Sequence, residues 1–175
     1  MHHAIAKRFA GSGFPARMAL AIWRQLIGGS THVESPLNVS YLAAHTEHQF
    51  YAREYFGVQA GAAAASDARE ALAQLQRGTS NILLLPRALN HAWWRDAHTL
   101  ADAGLFIFAI LPVEAATLAP ALALATVTPE PSGADISYFV MADGSIDTVE
   151  GYHTEHPGGR FLGAHPTPVS FTSGE

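Results

Sequence analysis

Asn81-Ile-Leu-Leu-Leu-Pro86, near the middle of the chain, is the most diagnostic segment of the sequence. A short, wholly apolar run that stops at a proline is typical of a strand buried on both faces of a parallel sheet. Leu37-Asn-Val-Ser-Tyr-Leu42 alternates apolar and polar residues and predicts a second strand, and Leu105 to Leu111 predicts a third. Helical periodicity separates these strands, so residues 37–112 are predicted to form a series of β-α-β units.

Helices and further strands are predicted around this region. Phe14-Pro15 places a proline at the first turn of a helix whose apolar stripe runs to Gly28-Gly29 or on to Glu34. Other helices are predicted over 45–56, 66–76 and 89–102, and short strands over 121–128, 136–141 and 159–164. The predicted class is therefore α/β, with a mostly parallel sheet flanked by helices, an N-terminal helix and a short antiparallel C-terminal extension.

Composition excludes several classes of protein. The chain has 175 residues, 10 Lys+Arg against 15 Asp+Glu, and no cysteine. Without cysteine there is no disulfide scaffold, thiolate zinc site or cysteine nucleophile, and a net charge of −5 argues against a nucleic-acid partner. The longest apolar run, Leu105 to Val113, is about half of a membrane span, and the start lacks the apolar core of a signal peptide. We expect a soluble cytoplasmic protein without a membrane partner.

Charge is distributed unevenly along the chain. Residues 1–95 carry nine basic and five acidic groups, whereas residues 96–175 carry one basic group, Arg160, and ten acidic groups. A small anionic ligand is therefore expected to bind to the first half. The 14–27 helix is richly apolar, which predicts a homo-oligomer.

The ten histidines raise the possibility of a metal site. His45-x-x-His48 and His153-x-x-His156 each place two imidazoles within reach of one another. Neither has the His-Glu-x-x-His spacing, and neither has a carboxylate at the offset expected of a ligand, so no metal and no cofactor are predicted. The most chemically dense stretch is Asn90-His-Ala-Trp-Trp-Arg95, where two adjacent tryptophans cannot both face the core.

Several segments, in order, resemble prephenate dehydratases. Tyr41-Leu-Ala-Ala-His-Thr-Glu-His-Gln-Phe-Tyr-Ala-Arg-Glu-Tyr-Phe-Gly57 is similar to the opening strand, loop and helix of that family. Asp67 to Gln76, followed by Asn81 to Pro86, resembles its next helix and a strand that ends in proline. Gly159-Arg-Phe-Leu-Gly-Ala-His-Pro166 is similar to the closing strand of the regulatory ACT module found in the same enzymes. The resemblance implies a fold like one half of a periplasmic-binding protein.

A second resemblance lies upstream. Ile22-Trp-Arg-Gln-Leu-Ile27, followed by Ser30 and Glu34, resembles the last helix of the all-helical chorismate mutases. The implied organisation is a chorismate-mutase-like remnant over residues 1–34 and a prephenate-dehydratase-like domain with a degenerate ACT-like tail over 35–175. Together the two resemblances imply a protein of phenylalanine biosynthesis that binds or converts chorismate or prephenate, as a dehydratase (a lyase) or a mutase (an isomerase).

The resemblance also implies site residues. The proton donor for loss of water and carbon dioxide would be Thr46, His48 or Ser137, and the carboxylates of prephenate would be held by Arg53, Arg87 or Arg95. Arg17, Arg24 and Glu34 of the mutase-like helix, together with Asn90 and Trp94, are the other expected substrate-binding residues. The motifs depart from the family at two places. Arg87-Ala-Leu-Asn90 stands where dehydratases have Ile-Glu-Asn-Ser, and Ala43-Ala-His-Thr46 replaces a glycine-rich loop. The alternative is therefore a non-catalytic module that binds an aromatic amino acid or forms an oligomer.

Overall fold

A computed structural model describes residues 8–9, 13–113 and 119–168 of the protein. The helices of the described residues are α1 (Ala16–Glu34), α2 (His48–Phe56), α3 (Ala68–Gln76), a 3₁₀ turn (Ala92–Asp96) and α4 (Ala97–Asp102). The strands are β1 (Asn38–Leu42), β2 (Gly61–Ala65), β3 (Ile82–Pro86), β4 (Phe106–Leu111), β5 (Ala121–Ala125), β6 (Asp135–Met141), β7 (Ile146–Glu150) and β8 (Gly159–Pro166). They form one sheet in the order β2-β1-β3-β5-β4-β8-β6-β7.

The mixed α/β class is confirmed, but the expectation of a mostly parallel sheet is wrong. Of the seven neighbouring pairs, β1–β2, β1–β3 and β4–β8 are parallel, and the other four are antiparallel. The main cause is β5, which lies antiparallel between β3 and β4. Only residues 112–120 join β4 to β5, and a parallel return would need a crossover of about a dozen residues or more.

Helices cover both faces of the sheet, which explains why β3 is entirely apolar. On one face, Tyr51 and Phe56 of α2 pack on Val39 and Leu84. On the other face, α3, the 3₁₀ turn and α4 pack on a cluster that includes Leu85. Residues 82–85 of β3 therefore point alternately into the two cores, and burying a leucine side chain contributes about 1.5–3 kcal/mol.

Helix α1 lies on α2 instead of on the sheet, and Gly28 makes that packing possible. A Cβ atom at Gly28 would lie 2.3 Å from the backbone oxygen of Phe56, whereas a Cβ at Gly29 would meet nothing within 4 Å. The helix continues through this glycine pair to Glu34. Gly28 therefore permits the close approach to α2 while the backbone remains α-helical. Pro36 stands beyond its end, as the sequence predicts.

Three elements differ from the sequence-based expectation. No strand is predicted over β2, because its Gly-Ala-Ala-Ala-Ala sequence has no polar–apolar alternation. The helix expected over 89–102 is a 3₁₀ turn followed by α4, since the Ala92–Asp96 segment stacks its two tryptophans on one another. Strand β7 is also unexpected, as it is mostly exposed and carries acidic residues.

The two halves of the sheet meet where β8 runs alongside β4. Gly163 has φ of 129° and pairs with Ile107, and a Cβ atom at Gly163 would lie 2.3 Å from the Ile107 backbone. Only glycine fits this approach, which joins β6–β8 to the rest of the sheet. Among the described residues, none of the helices is both long and apolar enough to span a membrane.

Candidate functional site

The loops after β1 and β3 meet at one edge of the sheet. Strands β1 and β3 are parallel neighbours, and the chain leaves β1 through α2 on one face but reaches β3 through α3 on the other. Open α/β sheets bind ligands at such a change of direction, outside the carboxyl ends of the strands. We call this region, formed by the carboxyl ends of β1 and β3 with loops 43–47 and 87–91, the carboxyl edge.

Three histidines and a carboxylate gather at the carboxyl edge. The rings of His45 and His48 are stacked, with centroids 5.0 Å apart, and the His91 ring lies 5.4 Å from that of His45. The Nδ1 atom of His45 is 3.3 Å from a carboxylate oxygen of Glu47. Ligating atoms of His45, Glu47 and His48 all lie within 4.8 Å of one another. The histidine pair of the first loop therefore has a carboxylate partner, Glu47.

His48 is the most unusual member of this cluster. Its side chain is fully buried, and neither ring nitrogen has a hydrogen-bond partner within the described part of the chain. Burial, joined by the nearby His45 and His91 rings, lowers the pKa of His48 to about 4, although Glu47 acts in the opposite direction. The Leu84 backbone also favours the protonated ring, but no hydrogen bond of normal geometry joins them. His48 is consequently neutral at pH 7.

The pKa of the Glu47 carboxyl group is lowered. Partial burial works to raise it, but hydrogen bonds from its own backbone and from His45, together with the two neighbouring imidazoles, outweigh that effect.

The hydroxyl group of Tyr51 is buried beside His48 without a hydrogen-bond partner among the described residues. Burial of a polar group without a partner costs about 1–3 kcal/mol, so this cluster is incompletely satisfied.

A second polar cluster at this edge is a hydrogen-bonded network of Arg87, Tyr138 and His165. The Nε of Arg87 donates to the hydroxyl oxygen of Tyr138 at 3.3 Å, and this hydroxyl lies 3.1 Å from Nε2 of His165. Nδ1 of His165 is 2.8 Å from the carbonyl oxygen of Pro166. This series of hydrogen bonds has a donor and an acceptor at every step when Nδ1 of His165 carries the proton, so that Tyr138 donates to Nε2. This network fixes the direction of the Arg87 side chain.

Burial dominates the electrostatics of this network. It lowers the pKa of His165 to about 4; the Arg87 charge acts in the same direction, while the Pro166 carbonyl and Asp135 act against it. Burial also raises the pKa of the Tyr138 hydroxyl, against the effect of Arg87. The Arg87 guanidinium is therefore the charged member of the network at neutral pH, and it is only half-buried.

The two adjacent tryptophans, Trp93 and Trp94, pack against the Tyr138 ring of this network. Trp93 and Trp94 stack with centroids 3.8 Å apart, and Trp94 stacks on Tyr138 at 6.0 Å. Their indole nitrogens donate to backbone carbonyls of Pro86 and Ala88. Both rings are buried in the core, so the expectation that two adjacent tryptophans cannot both face the core is wrong, because stacking lets both enter it.

The structure brings together four of the residues predicted from the sequence. Thr46, His48, Arg87 and Asn90 all lie in or next to the carboxyl-edge loops. Trp94 lies beneath them as part of the aromatic stack. Thr46 and Asn90 are exposed, whereas His48 is buried.

The other predicted residues lie elsewhere. Arg17, Arg24 and Glu34 belong to α1, where Arg24 is buried over the Tyr55 ring, and Arg53 is exposed on α2. Arg95 is exposed in the 3₁₀ turn. Ser137 is fully buried in β6, where its hydroxyl donates to the carbonyl of Gly151 and accepts from the backbone of His153. Its hydroxyl is thus occupied in holding a loop.

From the sequence, His45 is considered only as the partner of His48 in a possible metal pair, and Glu47, His91 and His165 are not singled out. The signal for His45, Glu47 and His91 is positional: each follows a strand, and the two strands are parallel neighbours. His165 gives no local signal, since its partners, Arg87 and Tyr138, lie far from it in the sequence.

No protein-family model matches the chain, and no curated protein does. Among solved structures, the chain is similar to one described as "GqqA- a novel type of quorum quenching acylases". The two share 14% sequence identity and a TM-score of 0.52, over 74% of this chain and 95% of that one. At this identity the likeness concerns the fold alone.

Proposed function

We propose that the chain is a prephenate-dehydratase-like domain that binds a small aromatic carboxylate at the carboxyl edge, with chorismate, prephenate and phenylalanine as the candidate ligands. The observation that carries the proposal is the placement of Arg87. Its guanidinium is held by the Tyr138–His165 network, is half-buried, and follows a strand at a change of chain direction. A fixed guanidinium is well suited to bind a carboxylate through two parallel hydrogen bonds.

The finer features of the proposal follow from the same resemblance. The β2-β1-β3 part of the sheet with its helices would correspond to one half of a periplasmic-binding-protein-like fold, α1 to the mutase remnant, and β6–β8 to the reduced ACT-like tail. The antiparallel β6–β7 and β6–β8 pairs support the last of these correspondences, between β6–β8 and the ACT-like tail. A cytoplasmic location belongs to the same proposal.

Binding without dehydration is the form of the proposal that the side chains favour. Dehydration of prephenate requires a proton donor for the departing hydroxyl group. His48 is neutral and buried, and the Ser137 hydroxyl is already hydrogen-bonded to backbone groups. Thr46 is exposed, and a threonine hydroxyl is a weak acid unless a neighbouring group activates it. We therefore expect ligand binding without release of carbon dioxide.

The test is calorimetric titration of the protein, kept in a chelator, with prephenate, chorismate, phenylalanine and tyrosine. One of the first three should bind, and Arg87→Gln should weaken it about 10- to 100-fold, as expected for loss of a charged hydrogen-bonding group. Arg77→Gln, an exposed arginine at the end of α3, is the matched control and should bind normally. Equal affinity in Arg87→Gln and wild type, at equal melting temperature, would overturn the proposal.

A second candidate function is acyl hydrolysis, which the pair of His45 and Glu47 favours. A carboxylate that accepts from Nδ1 of a histidine orients the ring and leaves Nε2 to act as a general base, and His45 is partly exposed. The structurally similar protein is described as an acylase. Hydrolysis of a chromogenic N-acyl amide that is lost in His45→Gln and kept in His153→Gln would support this candidate, and absence of hydrolysis in the wild type would exclude it.

The proposal includes a homodimer formed through α1. The outward side of α1 exposes apolar side chains that a monomer would leave in water: Met18, Ile22, Leu26, Ile27 and Val33. A patch of this kind marks an interaction surface. At micromolar concentration, light scattering should give the mass of a dimer, and Ile22→Glu should give a monomer, with Val58→Glu, an exposed site outside α1, as the control. A monomeric wild type would contradict it.

A further inference from the structure

We propose that His45, Glu47 and His48 form a binding site for a divalent transition metal, with Zn²⁺ as the preferred ion. The inference does not depend on the proposed ligand or on either candidate reaction, because it concerns the affinity of the protein for the metal alone. It rests on the ligand set, on the state of the buried imidazole and on the surroundings of the cluster.

The ligand set is suited to zinc in type and number. Two imidazoles and one carboxylate are the donors of one common class of catalytic zinc site, in which the fourth position is left open for water or substrate. The three donor atoms lie within 4.8 Å of one another, and a tetrahedral zinc ion requires separations of about 3.3 Å. Metal binding would close the difference by rotation of the His45 and Glu47 side chains, both of which are partly exposed.

His48 supplies the independent observation. Its two ring nitrogens are completely buried and make no hydrogen bond to any described residue, a state that is costly for an imidazole unless something binds it. A metal ion would satisfy one nitrogen. The second nitrogen would then need a backbone carbonyl or a water molecule, the usual acceptors for the second nitrogen of a metal-binding histidine.

His91 is assigned a different part. Its Nδ1 accepts from the backbone N–H of Trp93 at 3.3 Å, so the neutral ring carries its proton on Nε2 and donates there. A ring in this state cannot bind a metal through Nε2. It lies beside His45, where it can hydrogen-bond to a water molecule or a ligand oxygen at the fourth position. The site would thus have three protein ligands and one exchangeable position.

The experiment is isothermal titration of the full chain with Zn²⁺, after treatment with EDTA and its removal. The His2–His3 pair could bind metal by itself, so His2→Gln/His3→Gln is the reference background. One equivalent of Zn²⁺ should bind, and either His45→Gln or Glu47→Gln should lower the affinity at least 100-fold. His153→Gln disrupts the other His-x-x-His pair of the chain and should bind as the reference does.

Cobalt gives a second readout that is independent of heat changes. Co²⁺ in a four-coordinate site of nitrogen and oxygen ligands absorbs visible light far more strongly than the octahedral aqueous ion. This absorption should appear with the reference protein and His153→Gln, and should be absent with His45→Gln. Because the altered side chains are partly exposed, the variants should fold, which circular dichroism can verify. No saturable binding, or equal binding in reference and His45→Gln, would overturn the proposal.

Discussion

The two edges of the sheet beside β1 and β3 differ in polarity: one is polar and charged, and the other is mainly apolar. The carboxyl edge gathers imidazoles, a carboxylate and a half-buried guanidinium around loops 43–47 and 87–91. The amino edge, at the start of β1 and β3, borders a cavity of about 390 Å³. Its described lining includes Ile27 of α1, Leu37 and Phe108 and no charged residue. A carboxylate would find a counter-charge only at the first edge. The cavity of the second suits an apolar group.

The difference arises from how each edge is covered. At the amino edge, an entire helix with a closely packed glycine shields apolar side chains from water. At the carboxyl edge only short loops follow the strands, so polar groups can remain near the surface while their strands anchor them. Rigid strands that position loop residues are the usual arrangement of a binding site.

Both edges depend on β3, so Leu84→Asp should have the largest effect. Leu84 is fully buried between Tyr41 and Ala123, its partners in the neighbouring strands, and the residues of α2. An unpaired carboxylate there costs the burial of leucine and a desolvation penalty, together more than about 5 kcal/mol, which exceeds the stability of many domains. Soluble expression should be lost, whereas Leu89→Asp, at an exposed leucine, should express normally. A soluble, cooperatively melting Leu84→Asp would show that β3 is not interior.

Acid should destabilise the protein through His165, whose network holds Arg87 at the carboxyl edge. Since the folded-state pKa of His165 lies near 4 and the unfolded value near 6.5, the unfolded chain binds more protons between these values. The free energy of unfolding is therefore highest above pH 6.5 and falls as the pH decreases to 4, by about 3 kcal/mol from this residue. Urea unfolding at several pH values measures the slope.

The matched variants separate this contribution from others. His165→Gln keeps an acceptor for Tyr138 and should reduce the slope, while His153→Gln, at an exposed histidine, should leave it unchanged. Some slope remains in His165→Gln, because the pKa of His48 is lowered by burial as well. An unchanged slope in His165→Gln would contradict the buried network of Arg87, Tyr138 and His165.

At the amino edge, the addition of a single methyl group to α1 should change the stability of the protein. Gly28→Ala places a carbon against the backbone of Phe56, so that α1 must move or strain, at a cost of about 2 kcal/mol. Gly29→Ala meets nothing and should gain up to about 1 kcal/mol from better helix propensity. Thermal unfolding of the two variants should therefore shift in opposite directions. Two shifts of the same sign would show that α1 does not pack closely on α2.

The sequence was sufficient for most of the elements, but not for β2 and β7 and not for the pairing of the strands. The apolar run of β3 and the helical stripes of α1 and α3 follow from local periodicity, and they lie close to where periodicity predicts them. The position of β5 between β3 and β4 depends on a short connection and on apolar surfaces that meet only in three dimensions. The alanine-rich β2 has no periodic signal at all.

The same distinction holds for the candidate site. Thr46, His48, Arg87 and Asn90 were selected through the family resemblance, and they meet in the structure because each follows one of two parallel neighbouring strands. The partnership of Glu47 with His45 could not be predicted, since the carboxylate offset matches no familiar metal motif. Ser137 was selected through resemblance, and only the fold shows its hydroxyl bound to the Gly151 carbonyl.

The most direct test of ligand binding at the carboxyl edge is a titration followed by the imidazole signals of the histidines in two-dimensional ¹H–¹⁵N NMR. The signals of His45 and His91 report on the carboxyl edge, and that of His32, in the last turn of α1, reports on the amino edge; single substitutions assign each signal. With prephenate or phenylalanine, in a chelator, His45 and His91 should shift and His32 should remain still. A shift confined to His32, or no shift with either compound or with chorismate, would contradict the account.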